Sequence, residues 1–190
     1  MKILIVDNKD SFTFNLAHYV KSINKNFDVL RAENINVDNL SSYNKIILSP
    51  GPGLPNEHPI LKRIIHKYYA SKPILGICLG HQAIAQYFNA RIDNLSFVKH
   101  GVQSQLKHRN NCYIFDKIPS SFMIGHYHSW VVSRDGFPSC LKITSENDEN
   151  LITSFKHVEY DINGLQFHPE SILTENGFKI IKNWVNHNQV

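Results

Sequence analysis

Apolar residues along this chain follow two rhythms, and the change between them organises it. In the first part, short unbroken apolar runs alternate with longer segments whose apolar positions recur every three or four residues. Residues 2–6, 27–30, 45–48 and 73–77 read as buried strands. Between them, Phe12, Leu16, Tyr19, Val20 and Ile23 keep helical spacing behind a candidate cap at Asp10 or Ser11. Pro59 suits the first turn of a second helix, with Ile60, Leu61, Ile64, Ile65, Tyr68 and Tyr69 forming its apolar face. Residues 80–88 read as a third helix. Such alternation predicts βα units around a mainly parallel sheet.

From about residue 97 to residue 158 the rhythm changes. Short alternating segments broken by turn signals such as Arg134-Asp135-Gly136 predict antiparallel strands covering one end of that sheet. Residues 162–167 return to a buried strand, and Thr174 is placed to cap a last helix through Phe178, Ile181, Trp184 and Val185. No repeat, low-complexity tract or linker divides the chain. The expectation is a single α/β domain over residues 1–190, an open and mostly parallel sheet flanked by helices, with an antiparallel strand extension.

Composition narrows the function classes. At 190 residues the chain can bury roughly 70% of its unfolded surface, enough for a core without staples. Three cysteines, Cys78, Cys112 and Cys140, form no paired spacing, which points to a reducing, cytoplasmic setting. The opening Ile3-Leu4-Ile5-Val6 run is too short for a signal segment, and no run approaches membrane-spanning length. The net charge is +4, yet acidic residues such as Asp28, Glu33, Asp38 and Glu146 lie among the scattered lysines and arginines. No basic stripe argues for nucleic acid, and no cysteine–histidine cluster has zinc spacing.

The sharpest chemical signal is Leu75-Gly76-Ile77-Cys78-Leu79-Gly80-His81-Gln82. A buried strand ends in Gly-x-Cys-x-Gly and a helix follows at once, the thiol counterpart of a nucleophile elbow. The helix N-terminus favours a thiolate at Cys78, and the Leu79 N–H is placed for a developing oxyanion. Cys112 and Cys140 lack this context and read as small hydrophobes.

A thiol nucleophile needs a base with an orienting partner. His168 lies at a strand end within Gln166-Phe167-His168-Pro169-Glu170-Ser171. Pro169 forbids a helical path, so His168 and Glu170 point the same way and the carboxylate can hold the imidazole. A third signal, Ser49-Pro50-Gly51-Pro52-Gly53, follows the 45–48 strand. Its prolines have no N–H, so a second oxyanion donor there must be a neighbour such as Gly51 or Gly53.

With these motifs goes Asp7-Asn8-Lys9-Asp10-Ser11-Phe12-Thr13, His100-Gly101 and Tyr127-His128-Ser129, and nearly end to end the chain resembles the class I (triad) glutamine amidotransferases. Within them it is similar to the glutaminase subunits of anthranilate synthase and aminodeoxychorismate synthase. The resemblance implies that Cys78 is the nucleophile, His168 the general acid and base, and Glu170 its orienting carboxylate. It implies L-glutamine contacts from Gly51, Pro52 and Gly53, from Leu79, from the Gln82 side chain, and from Ser129 and Trp130 largely through backbone. It further implies ammonia delivery to a chorismate-binding synthase subunit, with no cofactor or metal in this chain. Lys9, Val102, His126 and Trp130 depart from the residues usual in the family, and the changed charges bear on docking to the partner. Three other readings remain: an amidotransferase subunit of a purine-nucleotide synthetase, a stand-alone γ-glutamyl hydrolase, and a degenerate binding subunit.

Overall fold

The computed structural model describes residues 1–109 and 112–187; residues 110, 111 and 188–190 of the expected 1–190 domain lie outside them. In chain order the strands are β1 (Ile3–Asp7), β2 (Phe27–Arg31), β3 (Lys45–Leu48), β4 (Ile74–Ile77), β5 (Ile92–His108), β6 (Ser121–Val132), β7 (Leu141–Asn147), β8 (Ile152–His157) and β9 (Ile162–Leu165). The helices are α1 (Thr13–Ile23), α2 (Pro59–Tyr68), α3 (Leu79–Tyr87) and α4 (Gly177–Asn186). No described helix is long and apolar enough to cross a membrane.

All nine strands join one sheet in the order β2-β1-β3-β4-β9-β8-β7-β5-β6. The first five are parallel and the rest antiparallel. Strands β1, β3, β4 and β9 are buried along their whole length, because helices cover both faces. Alternation sends Leu4, Val6, Ile46 and Leu48 to one face, against Leu61, Ile64 and Ile65 of α2 and Ala83 and Ile84 of α3. It sends Ile3, Ile5, Ile47, Leu75 and Ile77 to the other, against Leu16 and Val20 of α1 and Ile180, Ile181 and Trp184 of α4.

The parallel core and Pro59 at the start of α2 match expectation. Three local details differ. The antiparallel strands extend the sheet sideways rather than cover its end, and β5 starts at Ile92. Neither Asp10 nor Ser11 is the cap of α1: Phe12 occupies that position, and the Asp10 Oδ1 accepts the Phe12 N–H at 2.8 Å just ahead of the helix. Thr174 does not cap α4, which starts after Asn176 in the left-handed conformation (φ 58°). The Thr174 hydroxyl is engaged elsewhere, donating to the His168 carbonyl at 2.6 Å.

The connection after β1 runs to β2 on one side, and the chain then crosses to β3 on the other. The order therefore reverses between β1 and β3, and clefts form outside the carboxyl ends of strands at such points. There the sequences Asp7-Asn8, Ser49 to Gly53, Cys78 and Gln166 to Glu170 all emerge.

Candidate active site

Strand β4 ends at Ile77 and α3 begins at Leu79, so one residue makes the whole turn. Cys78 makes it with φ 50° and ψ −100°, a conformation that costs a non-glycine residue of the order of 1–3 kcal/mol. The turn survives because the packing around it leaves no alternative. A Cβ on Gly80 would lie 2.3 Å from the Leu48 carbonyl oxygen, and one on Gly76 would lie 2.4 Å from the Gly80 backbone. The Cys78 N–H donates to the Leu165 carbonyl at 2.7 Å, tying the elbow to β9. As the first residue of α3, Leu79 has a backbone N–H free of any intrahelical partner.

His168 and Glu170 leave the end of β9 together. The Nδ1 of His168 meets the Oε1 of Glu170 at 2.8 Å, with the two residues only 1% and 3% exposed. Burial pushes the imidazole down, but the negative charges of Glu170 and Cys78 outweigh it and hold the ring well above its ordinary value of 6.5. The Nε2 of His168 has no hydrogen-bond partner among the described residues. The segment is fastened to β6: the His168 N–H donates to the Gly125 carbonyl at 3.2 Å, and the Gly125 N–H donates to the Thr174 Oγ1 at 2.9 Å.

Gly51, Pro52, Gly53, Leu79, Gln82, Ser129 and Trp130 line one cleft of about 190 Å³ with Cys78, joined by Tyr127 and His128. The sequence thus spreads these residues over the chain and the fold gathers every one. Gly51 is confined to glycine, since its Cβ would lie 2.6 Å from the Cβ of Asn8. Asn8 and Ser49 stitch the β1 and β3 loops together: the Asn8 N–H donates to the Ser49 Oγ at 3.0 Å and the Asn8 Nδ2 to the Ser49 carbonyl at 2.9 Å. The Gln82 Nε2 donates to the Trp130 carbonyl at 2.8 Å and to the Gln166 Oε1 at 3.2 Å, so α3 is bridged to β6 across the cleft.

Behind β6 lies a buried polar chain. The Asn147 Nδ2 donates to the Ser104 Oγ, which sits 2.6 Å from the His126 Nε2; the His126 Nδ1 sits 2.9 Å from the His128 Nε2. Burial lowers His126 to about 4 and His128 to about 3, so both are neutral at pH 7. His126 is fully buried, so its departure from the residue usual in the family does not alter the surface. Lys9, by contrast, is exposed and paired with Glu33.

Phe12 and Tyr127 lie in the Asp7–Thr13 and Tyr127–Ser129 motifs, with nothing in the sequence to show that the two side chains meet. Their rings pack against each other and against His168, with centroids 4.8–5.2 Å apart. Only the fold brings them together, from α1, β6 and the loop after β9.

Comparison with known proteins places the chain in a family. The family model for Glutamine amidotransferase class-I matches residues 4–188. A Haemophilus influenzae protein provisionally named anthranilate synthase component II is 43% identical over 185 residues, covering 97% of this chain and 96% of its own. Aminodeoxychorismate synthase component 2 of Escherichia coli is 37% identical over 185 residues, covering 96% and 98%. The crystal structure of a glutamine amidotransferase from Thermotoga maritima superimposes with a TM-score of 0.74 at 18% identity, covering 97% of this chain and 80% of its own. At that identity it speaks to the fold alone. The chain belongs to the class-I glutamine amidotransferases.

Proposed function

We propose that the chain is the glutaminase subunit of a chorismate-aminating synthase, using Cys78, His168 and Glu170 to release ammonia from L-glutamine. The observation that carries this is the strained Cys78 elbow opening into the same cleft as Gln82, Ser129 and the glycine loop, beside the buried His168–Glu170 pair. The Cys78 thiol gives its proton to His168, and its sulfur attacks the side-chain amide carbon, forming a C–S bond and an oxyanion that the Leu79 N–H and a Gly51 or Gly53 N–H receive. Collapse breaks the C–N bond while His168 gives its proton to the departing nitrogen. Water then attacks the thioester with His168 as base, releasing glutamate and restoring the thiol. Glu170 keeps the imidazole aimed throughout. The reaction asks for no metal or cofactor from this chain.

The names of the 43% and 37% identical relatives favour a chorismate-using partner over a purine-nucleotide one. The chain works as one domain in the cytoplasm, and docking of the synthase partner raises its turnover. The test is to capture the chain with its partner from native lysate and supply glutamine and chorismate. Glutamine-dependent formation of anthranilate or aminodeoxychorismate supports the reading. Amination of a purine nucleotide instead would overturn the choice of partner, and peptide or γ-glutamyl-chain hydrolysis without any partner would overturn the subunit role.

A further inference from the structure

His168 is anchored at one nitrogen only. Its Nδ1 meets Glu170, while its Nε2, the atom that must exchange protons with substrate, has no partner among the described residues. Apart from the nearby Cys78 sulfur, whose charge favours the protonated ring, only ring contacts remain to set the Nε2 direction. Two rings stand against the imidazole. Tyr127 meets it at 4.9 Å and 66°, and Phe12 at 5.2 Å and 65°, both in edge geometry. Phe12 and Tyr127 also touch each other, at 4.8 Å and 51°, so the three rings close a triangle. Edge contacts of this kind favour particular relative orientations of the rings.

Tyr127 is itself tied to the triad loop. Its hydroxyl is 3.0 Å from the Ser171 Oγ, one residue beyond Glu170, and that oxygen also accepts the Leu173 N–H at 3.1 Å. Two residues earlier on the same strand, Gly125 holds the backbone of His168 and the Thr174 hydroxyl. Strand β6 therefore grips the loop through backbone at Met123 and Gly125 and through the Tyr127 ring and hydroxyl. Resting on the glutaminase reading above, we infer that Tyr127 is a positioning residue for His168: its ring sets the direction of Nε2, and the hydroxyl only steadies the ring. A misdirected base costs chemistry more than binding, because a displacement near 1 Å can cost about 10²-fold in rate.

Three variants of the full chain, assayed with whatever synthase partner co-purifies, decide it. Y127M fills similar volume without a ring and should lower kcat about tenfold or more while KM for glutamine stays within about threefold, in line with loss of an interaction made in the transition state. Y127F keeps the ring and should stay within about threefold of wild type in kcat, a small change for one half-buried hydrogen bond. Should Y127M not fold, F12L removes the opposing ring and should show the same kcat-only loss. Y127M with wild-type kcat, or Y127F as impaired as Y127M, overturns the proposal. If the wild type does not turn over glutamine, the functional reading has failed instead. The ring claim is then read from the nuclear magnetic resonance signal of the His168 Nδ1 proton: broadened away in Y127M but kept in Y127F supports it, and unchanged in both overturns it.

Discussion

In the parallel half of the sheet, position is enforced by contact between backbones. Gly76, Gly80 and Leu48 meet so closely that a single added methyl has nowhere to go, and Cys78 is pressed into its turn as a result. In the antiparallel half, position is held by side-chain hydrogen bonds: Asn147 to Ser104, then His126 and His128, with Thr174 and Tyr127 reaching across to the triad loop. The first arrangement tolerates no change but is indifferent to pH. The second tolerates conservative change and depends on which imidazoles carry protons. Cys78, the proposed nucleophile, comes from the first half, and the cleft wall and the grip on His168 come from the second.

The comparison breaks most visibly at the nucleophile. Cys78→Ala should lower glutamine turnover by about 10⁴-fold or more, as removal of a covalent nucleophile does, while the melting temperature barely moves. Ammonia release and thermal melting measured together check this. Glu170→Gln should follow with a loss of about 10²-fold or more, because the amide can leave His168 in the wrong tautomer. Gly80→Ala attacks the parallel half directly, placing a methyl 2.3 Å from the Leu48 carbonyl oxygen. It should cost about 3 kcal/mol in a urea titration, the upper end for overpacking.

Gln82 is one tie between the halves. Gln82→Ala should raise KM for glutamine about tenfold and cost about 1 kcal/mol of stability, near the value of one hydrogen bond. Smallest, and opposite in sign across the molecule, are the effects of pH. His168 is raised when folded, so its contribution to stability is complete below 6.5 and is lost as pH climbs through the folded value. His126 and His128 are lowered to about 4 and about 3, so theirs is present above 6.5 and is lost as pH falls toward those values. Glu170→Gln should flatten the alkaline limb of melting temperature against pH, and His128→Gln the acid limb. Both variants flattening the same limb would contradict the assignment.

How much of this was readable in the chain follows the same division. The elbow was legible because its constraint is steric and local: glycines two residues either side of Cys78 permit little else. The parallel strands were legible because burial on both faces writes an unbroken apolar run. Strand β5 was cut short by five residues or so, since the stretch from Ile92 is mostly exposed, carries register shifts near Asn94–Lys99, and has no two-residue rhythm. Thr174 looked like a helix cap because nothing near it in sequence reveals that the His168 carbonyl would claim its hydroxyl. Phe12 and Tyr127 stand 115 positions apart, and no local pattern announces that both face one histidine. Phe12 read simply as the first apolar position of α1, and Tyr127 as one member of the Tyr127-His128-Ser129 motif.

The most direct test of the whole account is mass spectrometry of the chain quenched in acid during turnover of glutamine. A γ-glutamyl adduct on Cys78 of the wild type, absent from Cys78→Ala, is the predicted result. Undiminished ammonia release by Cys78→Ala, or an adduct on Cys112 or Cys140, would contradict it.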